Sequence, residues 1–344
     1  MDNLDKGLEM SMEEFRMIRD YIHEKSGIYF AENKMYVIQN RLARRLAELD
    51  IKTVRDYFYH VKYDTTRKEF NHLIDLITTN ETSFFRNEPQ LTSFAQEVLP
   101  LIVEQKTKTP GRKSLRLWSA GCSTGEEPYT LAMLILDTLP STAGWQIEII
   151  ASDISEQVLR VARKGEYHGL TLRNVPPAVL NKHFERAGDN YRVKAAVRSL
   201  VQFTQMNLND ERRMSLMRGL DVIFCRNVMI YFSTDVKKQV VKSFYNILNP
   251  GGYLFIGHSE SLHSISKAFK LVYFKKALVY QKDASRAAAA GAVPKRATAA
   301  TPSARPRTAG DSRASTSAAS GATRALELLR QLQTKNKHMN TVKS

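Results

Sequence analysis

Apolar residues in roughly the first 90 positions recur every three or four, the spacing of amphipathic helices. Ser11 with Glu14 forms a capping box, Phe15, Ile18 and Ile22 follow on one face, and Gly27 stops the run, so the first helix carries both of its ends in its residues. Met35, Ile38, Leu42 and Leu46 predict a second helix over 32–49, with Arg41, Arg44 and Arg45 crowding its flank. Shorter helices are predicted over 54–61 and 66–78, giving a small all-helical domain over 1–88.

After one more helix, over 88–104, the period changes. The runs SLRLWSA and QIEIIASD read as strands, and EEPYTLAMLILDTL and SEQVLRVARKG as the helices that follow them. Alternating strands and helices imply parallel βαβ units, hence an α/β sheet domain over 89–282. Short polar pieces over 165–199 break the rhythm as an inserted or reshaped crossover. LVQFTQMN, LDVIFCRN and GGYLFIGHSE then resume the strands. From residue 283 onward Ala, Ser, Thr, Pro, Gly and Arg dominate without one aromatic residue, a composition that buries no core, so 283–344 is expected to be a disordered basic tail.

Composition narrows the class. With 344 residues, 43% hydrophobic and 25% charged, the chain excludes wholly disordered, collagenous and disulfide-stapled proteins. No apolar run is long enough for a membrane span and the N-terminus lacks a secretory pattern, so a cytoplasmic protein outside the membrane is expected. Cys122 and Cys225 sit in apolar runs and read as buried thiols; no metal site is expected. The net charge of +16 invites nucleic acid, an anionic membrane or an acidic protein as partner, but half of it lies in the tail, where 11 Lys+Arg face three acids.

The candidate chemistry gathers at strand ends. Trp118 to Tyr129, WSAGCSTGEEPY, joins a buried strand to a helix, where an open parallel sheet binds its ligands. The dinucleotide fingerprint is absent, and Glu126 and Glu127 at the helix start repel a pyrophosphate. Those acids suit a cationic cofactor such as S-adenosylmethionine; the same pattern also reads as a plain strand-to-helix turn. Asp153 ends the second strand, either as an acceptor for ribose hydroxyls or as a helix cap. Asn207 with Leu208 and Arg226 with Asn227 end two further strands. The stretch 78–87, TTNETSFFRN, is either a lid over the crevice or a helix end with Phe84 and Phe85 tucked into a domain junction.

In combination, TTNETSFFRN, LWSAGCSTGEEPYTLAM, ASDIS, QMNL and IFCRNVMIYF, in this order behind an all-helical domain, resemble the CheR family of chemotaxis-receptor glutamate methyltransferases over roughly residues 10–282. The resemblance implies a Rossmann-like S-adenosylmethionine-dependent sheet domain, with a small β insertion at about 165–205. It places Asn80, Thr82, Arg86, Glu127, Asp153, Asn207, Leu208, Arg226 and Asn227 around the cofactor, and Arg86 and Tyr231 beside the transferred methyl; the plainer reading of Tyr231 is core packing. The implied substrate is a glutamate on the helical cytoplasmic stalk of a methyl-accepting chemoreceptor, giving a methyl ester and S-adenosylhomocysteine. The strip Arg41, Arg44 and Arg45 would dock that stalk, or simply be a solvated helix face.

Family members that tether to a receptor C-terminal pentapeptide use a longer glycine-containing loop than Ala187-Gly188-Asp189-Asn190, so docking without that tether is expected; a monomer is expected as well. Two rivals stand beside this reading. A nucleic-acid methyltransferase fits the pI near 9.7 but lacks the Asn/Asp-Pro-Pro-Tyr/Phe loop of amino-type base methylation, so no nucleic-acid partner is expected. A non-catalytic receptor adaptor would keep only the fold, which the complete GEEPY loop, Arg86 and Tyr231 oppose.

Overall fold

Ser11 Oγ accepts the Glu14 N–H while the Glu14 carboxylate accepts the Ser11 N–H, and helix α1 (Met12–Ser26) starts there. The computed structural model describes residues 8–111 and 113–283; of the expected tail only Asp283 falls within them. Gly27 ends α1 at φ 79°, where a Cβ would stand 2.9 Å from Val236 Cγ1, so both the turn and the close approach require glycine. Helices α2 (Met35–Glu48), α3 (Val54–Tyr63) and α4 (Lys68–Ile77) follow where the apolar spacing places them. The run expected over 88–104 is α5 (Glu88–Ser93), a π-helical turn (Phe94–Val98) and α6 (Leu99–Lys108). The wide turn lies where Pro100 withholds an N–H, and Phe94 packs edge-on against Phe224 and Phe255.

The α/β portion opens with β1 (Lys113–Ala120), α7 (Glu126–Thr138), β2 (Trp145–Asp153) and α8 (Glu156–Lys164). Next come β3 (Glu166–Tyr167), α9 (Pro177–His183), β4 (Phe184–Ala187), β5 (Asn190–Val193) and α10 (Ala195–Arg198). Strands β3, β5 and β4 form a separate three-stranded antiparallel sheet, with Gly188-Asp189 as the two-residue turn between β4 and β5. The insertion is shorter than the expected 165–205, because β6 (Val201–Gln205) pairs in parallel with Ile149–Asp153 of the main sheet. The chain continues through α11 (Glu211–Ser215), β7 (Leu220–Cys225), α12 (Thr234–Ile247), β8 (Leu248–Ile256), β9 (Phe269–Tyr273) and β10 (Leu278–Lys282).

The main sheet runs β6-β2-β1-β7-β8-β10-β9, with only β10 reversed. Sequential strands depart from β1 toward β2 on one side and from β7 toward β8 on the other. The strand order therefore reverses between β1 and β7, and a crevice opens there at the carboxyl ends. Alternate strand residues feed two cores: Leu115, Leu117, Val222 and Phe224 on one face, Trp118, Ala120, Ile223 and Cys225 on the other.

The second of these cores is shared. Phe15, Ile18 and Leu42 from the helices lie in one apolar cluster with Trp118, Ile223 and Phe244. The expected boundary at residue 88 therefore separates sequence segments that fold over a common core. Ile28 bridges Phe232, Tyr29 N–H donates to Tyr231 O at 2.9 Å, and His23 meets Ser233 Oγ at 3.1 Å. Cys122 and Cys225 are buried and unpaired, and burial pushes both thiols well up. Among the described residues no helix is long and apolar enough to cross a membrane.

Candidate active site

Gly121, at φ 82°, turns the chain out of β1, and its N–H and that of Cys122 both donate to Ser152 O at the end of β2. A Cβ at Gly121 would lie 2.3 Å from Val228 Cγ2, so glycine lets the loop after β7 close over the loop after β1. Gly125 has another purpose, since its Cβ would meet Ala162 and Tyr167 rather than the crevice.

The same turn brings Ser123 N–H to Asp153 Oδ2 at 2.9 Å, while Ser155 N–H reaches Oδ1 at 3.0 Å. Each carboxylate oxygen is thus fixed by one backbone donor and keeps lone pairs for a ligand. Burial pushes the Asp153 carboxyl above its ordinary range, against these backbone donors that favour the charge. Glu127, in the first turn of α7, accepts Ser119 Oγ at 2.7 Å and Arg226 Nη1 at 3.3 Å. Burial raises its pKa too, with Arg226 opposing. Glu126 turns away into the protein, where Thr124 Oγ1 donates to it.

Arg226 binds outward as well. Its Nη2 donates to Arg86 O at 2.5 Å, and its buried Nε has no partner among the described residues. Arg86 itself is exposed at the rim, with Nη1 donating to Glu81 O at 3.0 Å. Its neighbours Phe85 and Asn87 stand at φ 56° and 62°, Ser123 at 49° and Asn227 at 61°. Left-handed backbone costs roughly 1–3 kcal/mol in most non-glycine residues, less in asparagine, and collects where the fold holds a functional geometry. Tyr231 OH points toward Thr79 O at 3.4 Å.

One cleft is lined by Asn80, Thr82, Arg86, Glu127, Asp153, Asn207, Leu208, Arg226, Asn227 and Tyr231, together with Gly121, Ser123, Ile154, Met206 and Phe232. The stretch 78–87 divides between the two readings that its sequence left open, with Phe84 but not Phe85 tucked away from the cleft. Phe84 is fully buried edge-on against Tyr167 and Phe184 of the insertion, while Asn80, Thr82, Phe85 and Arg86 roof the cleft. Residues 13–78 match the CheR methyltransferase all-alpha domain, and residues 80–278 match the CheR methyltransferase SAM binding domain. The chain belongs to the CheR methyltransferase family. It is accordingly an S-adenosylmethionine-dependent methyltransferase of chemotaxis.

Among its relatives, "Chemotaxis protein methyltransferase 2" of Vibrio cholerae serotype O1 is 40% identical over 270 residues, 78% of this chain and 92% of that protein. "Chemotaxis protein methyltransferase 1" of Pseudomonas aeruginosa is 34% identical over 274 residues, 78% and 97% of the two chains. The Escherichia coli "Chemotaxis protein methyltransferase" is 35% identical over 268 residues, covering 77% and 90%.

The structure changes the expected cationic strip. Arg41 is turned inward: Nη1 donates to Leu76 O and Thr78 O at 3.1 and 3.2 Å, and Nη2 to Thr79 Oγ1 at 3.2 Å. It holds the start of the roof. Arg45 donates to both oxygens of Glu69, which is 7% exposed and also accepts Tyr57 OH. Only Arg44 has its side chain largely in solvent, 87% exposed beside Glu48. The sequence shows the arginines but not the carbonyls and the buried carboxylate that engage two of them.

Asn207 also has an internal task, donating to Lys25 O at 2.7 Å and accepting Asn209 N–H, so its side chain ties the end of α1 to the cleft. Ser26 and Ile28 line the cleft from the helical segment, which carries no catalytic pattern in its sequence. Glu260, three residues beyond Gly257, accepts the N–H groups of Asn227 and Gly257 and carries no signal in the sequence, since these backbone partners meet it only in the fold.

Proposed function

We propose that the protein methylates glutamate side chains on the helical cytoplasmic stalk of methyl-accepting chemoreceptors, yielding glutamate methyl esters and S-adenosylhomocysteine. The observation that carries this reading is the arrangement of two carboxylates, buried Asp153 and part-buried Glu127, inside one cleft whose rim carries Arg86 and Tyr231. The fit to S-adenosylmethionine rests on that donor set. Asp153 offers lone pairs to ribose hydroxyls, and Glu127 offers negative charge to an ammonium or sulfonium. Ile154, Met206 and Leu208 line an apolar side suited to a flat base. Asn80, Thr82, Asn207, Arg226 and Asn227 complete the polar wall.

Bound cofactor supplies a methyl activated on a positive sulfur, and the residues here need only position its acceptor. A glutamate with pKa ~4.3 is ionised at pH 7, so no general base is required. Arg86 presents a planar guanidinium that fixes a carboxylate by paired hydrogen bonds, and Tyr231 offers one hydroxyl to the same oxygens. The exposed side of α2, centred on Arg44, faces an acidic receptor helix. In this reading the enzyme is a cytoplasmic monomer, and the short Gly188-Asp189 turn supports docking without the pentapeptide tether.

Incubation with methyl-labelled S-adenosylmethionine and receptor-containing membranes tests this. Label on the receptor that mild base releases is the expected result, since carboxylate methyl esters are base-labile. Base-stable label on nucleic acid, or no transfer to any receptor, would sink the proposal.

A further inference from the structure

We propose that Glu260 is a positioning residue for methyl transfer, acting through the loop that carries Asn227 and Tyr231. It rests on the methyl-transfer reading of the cleft. Glu260 does not itself line that cleft.

The register between β7 and β8 ends at Cys225 and Ile256. Beyond it the chain enters two loops whose N–H groups have lost their ladder partners. The Glu260 carboxylate gathers three of these donors: Asn227 N–H at 3.0 Å and Gly257 N–H at 2.6 Å on Oε2, Ile230 N–H at 3.1 Å on Oε1. Its own N–H donates to Gly257 O at 2.9 Å, which closes the turn that aims it.

The geometry is tight enough to constrain sequence. A Cβ on Gly257 would lie 2.7 Å from Glu260 Oε2 and 3.0 Å from Asn227 N, so glycine is what admits the carboxylate. Asn227 is left-handed at φ 61°, a conformation that asparagine tolerates better than most residues, and the acceptor of its N–H is Glu260. At the far end of the same loop Tyr231 O accepts Tyr29 N–H. The loop is therefore clamped twice, by a carboxylate from the sheet side and by the helical segment. Water could satisfy the same donors but could not fix their direction. An ionised acceptor binds them by charge-assisted hydrogen bonds and does fix it.

The test uses the full chain carrying Glu260→Gln and, separately, Gly257→Ala, which displaces the carboxylate without altering it. Gln replaces one of the two acceptor oxygens with an NH2 group that cannot accept. At saturating receptor and cofactor, kcat should fall about tenfold or more, and the dissociation constant of S-adenosylhomocysteine should rise about fivefold, with the receptor KM unchanged, because positioning carries the rate. Amide exchange should quicken at Asn227 and Ile230 but not in β1 or β7. Adding Glu260→Gln to Tyr231→Phe should cost less than it does alone, since both act through one loop.

Folded variants whose kcat and ligand affinity stay within about twofold of the parent would overturn the assignment. Failure of both variants to fold would overturn it too, since that would make Glu260 a residue of global stability. Ligand binding and amide exchange need no receptor, so they judge Glu260 even where transfer to receptor glutamates proves absent.

Discussion

Asp153 shows what a single residue can be asked to do. Its oxygens are held by Ser123 and Ser155 N–H groups and present their remaining lone pairs to the cleft, so Asp153→Ala should weaken S-adenosylhomocysteine binding by about 1.5–3 kcal/mol in calorimetry. Unchanged affinity would move the ribose contact elsewhere. The direction of its pKa supplies a second expectation. Burial raises both Asp153 and Glu127, so each takes up a proton at a higher pH than an exposed carboxylate does. A cationic ligand selects the ionised forms; affinity for S-adenosylmethionine should therefore decline on acidification from above the ordinary carboxylate range, and binding in that window should release protons. Stability of the free protein runs the other way, because the folded state holds these protons more tightly than the unfolded chain and gains as pH falls through the raised pKa values. Calorimetry in buffers of differing ionisation heat reads the proton release, and an Asp153→Asn variant should release less. Arg86→Ala should lower kcat by roughly a hundredfold or more with cofactor saturating. Near-normal turnover would remove Arg86 from substrate positioning. Asp153 was legible because it ends an apolar strand before a helix. Glu260 was not, because its partners are backbone N–H groups that only the fold brings within reach.

At the scale of elements, helices were legible wherever one face is apolar and the ends carry capping chemistry, as in α1 with Ser11, Glu14 and Gly27. Charge on the opposite face was not. Periodicity assigned Arg41, Arg44 and Arg45 to one exposed strip of α2, whereas tertiary partners divide them. Burial alone would raise Glu69, but hydrogen bonds from Arg45 and Tyr57 overcome it and hold the carboxyl below its usual range. A group depressed in this way contributes stability above its unfolded pKa and loses it as pH falls through the folded one, so this cluster should fail only in acid. Arg45→Ala strands a nearly buried carboxylate and should destabilise by roughly 2–3 kcal/mol in denaturant titration, toward the low end of the cost of breaking a buried pair. Arg44→Ala removes an exposed pair with Glu48 and should cost no more than about 0.5 kcal/mol. If docking lies on α2, Arg44→Glu should raise the receptor KM in a manner that shrinks with added salt, while Arg45→Ala acts through stability alone. Equal stability losses for Arg44→Ala and Arg45→Ala would refute the division.

At the scale of the whole molecule, the sequence divides more sharply than the folded chain does. The change of period is sharp in the sequence, although α5 and α6 carry the helices on to Lys108 before β1 starts at Lys113, and the matched family domains meet between residues 78 and 80 rather than at 88. Periodicity reports which face of an element is apolar, however, and not which neighbour covers it. Here the helices and one face of the sheet cover each other: Phe15, Ile18 and Leu42 share a core with Trp118, Ile223 and Phe244, and the described residues fall in one compact unit. The cleft depends on this union. Ser26 and Ile28 line it, Asn207 is tied to Lys25 O, and Arg41 holds Thr78 and Thr79 at the start of the roof. Unfolding should therefore be a single transition in which helical and sheet probes coincide, and saturation with S-adenosylhomocysteine at a hundred times its dissociation constant should stabilise the whole by about 2.7 kcal/mol. A fragment beginning at residue 89 would expose Trp118 and Phe244 to water and should neither fold nor bind the ligand. Were that fragment to bind with undiminished affinity, or were helical and sheet signals to melt apart, the helical segment would be a separable docking module and the cleft the property of the sheet alone.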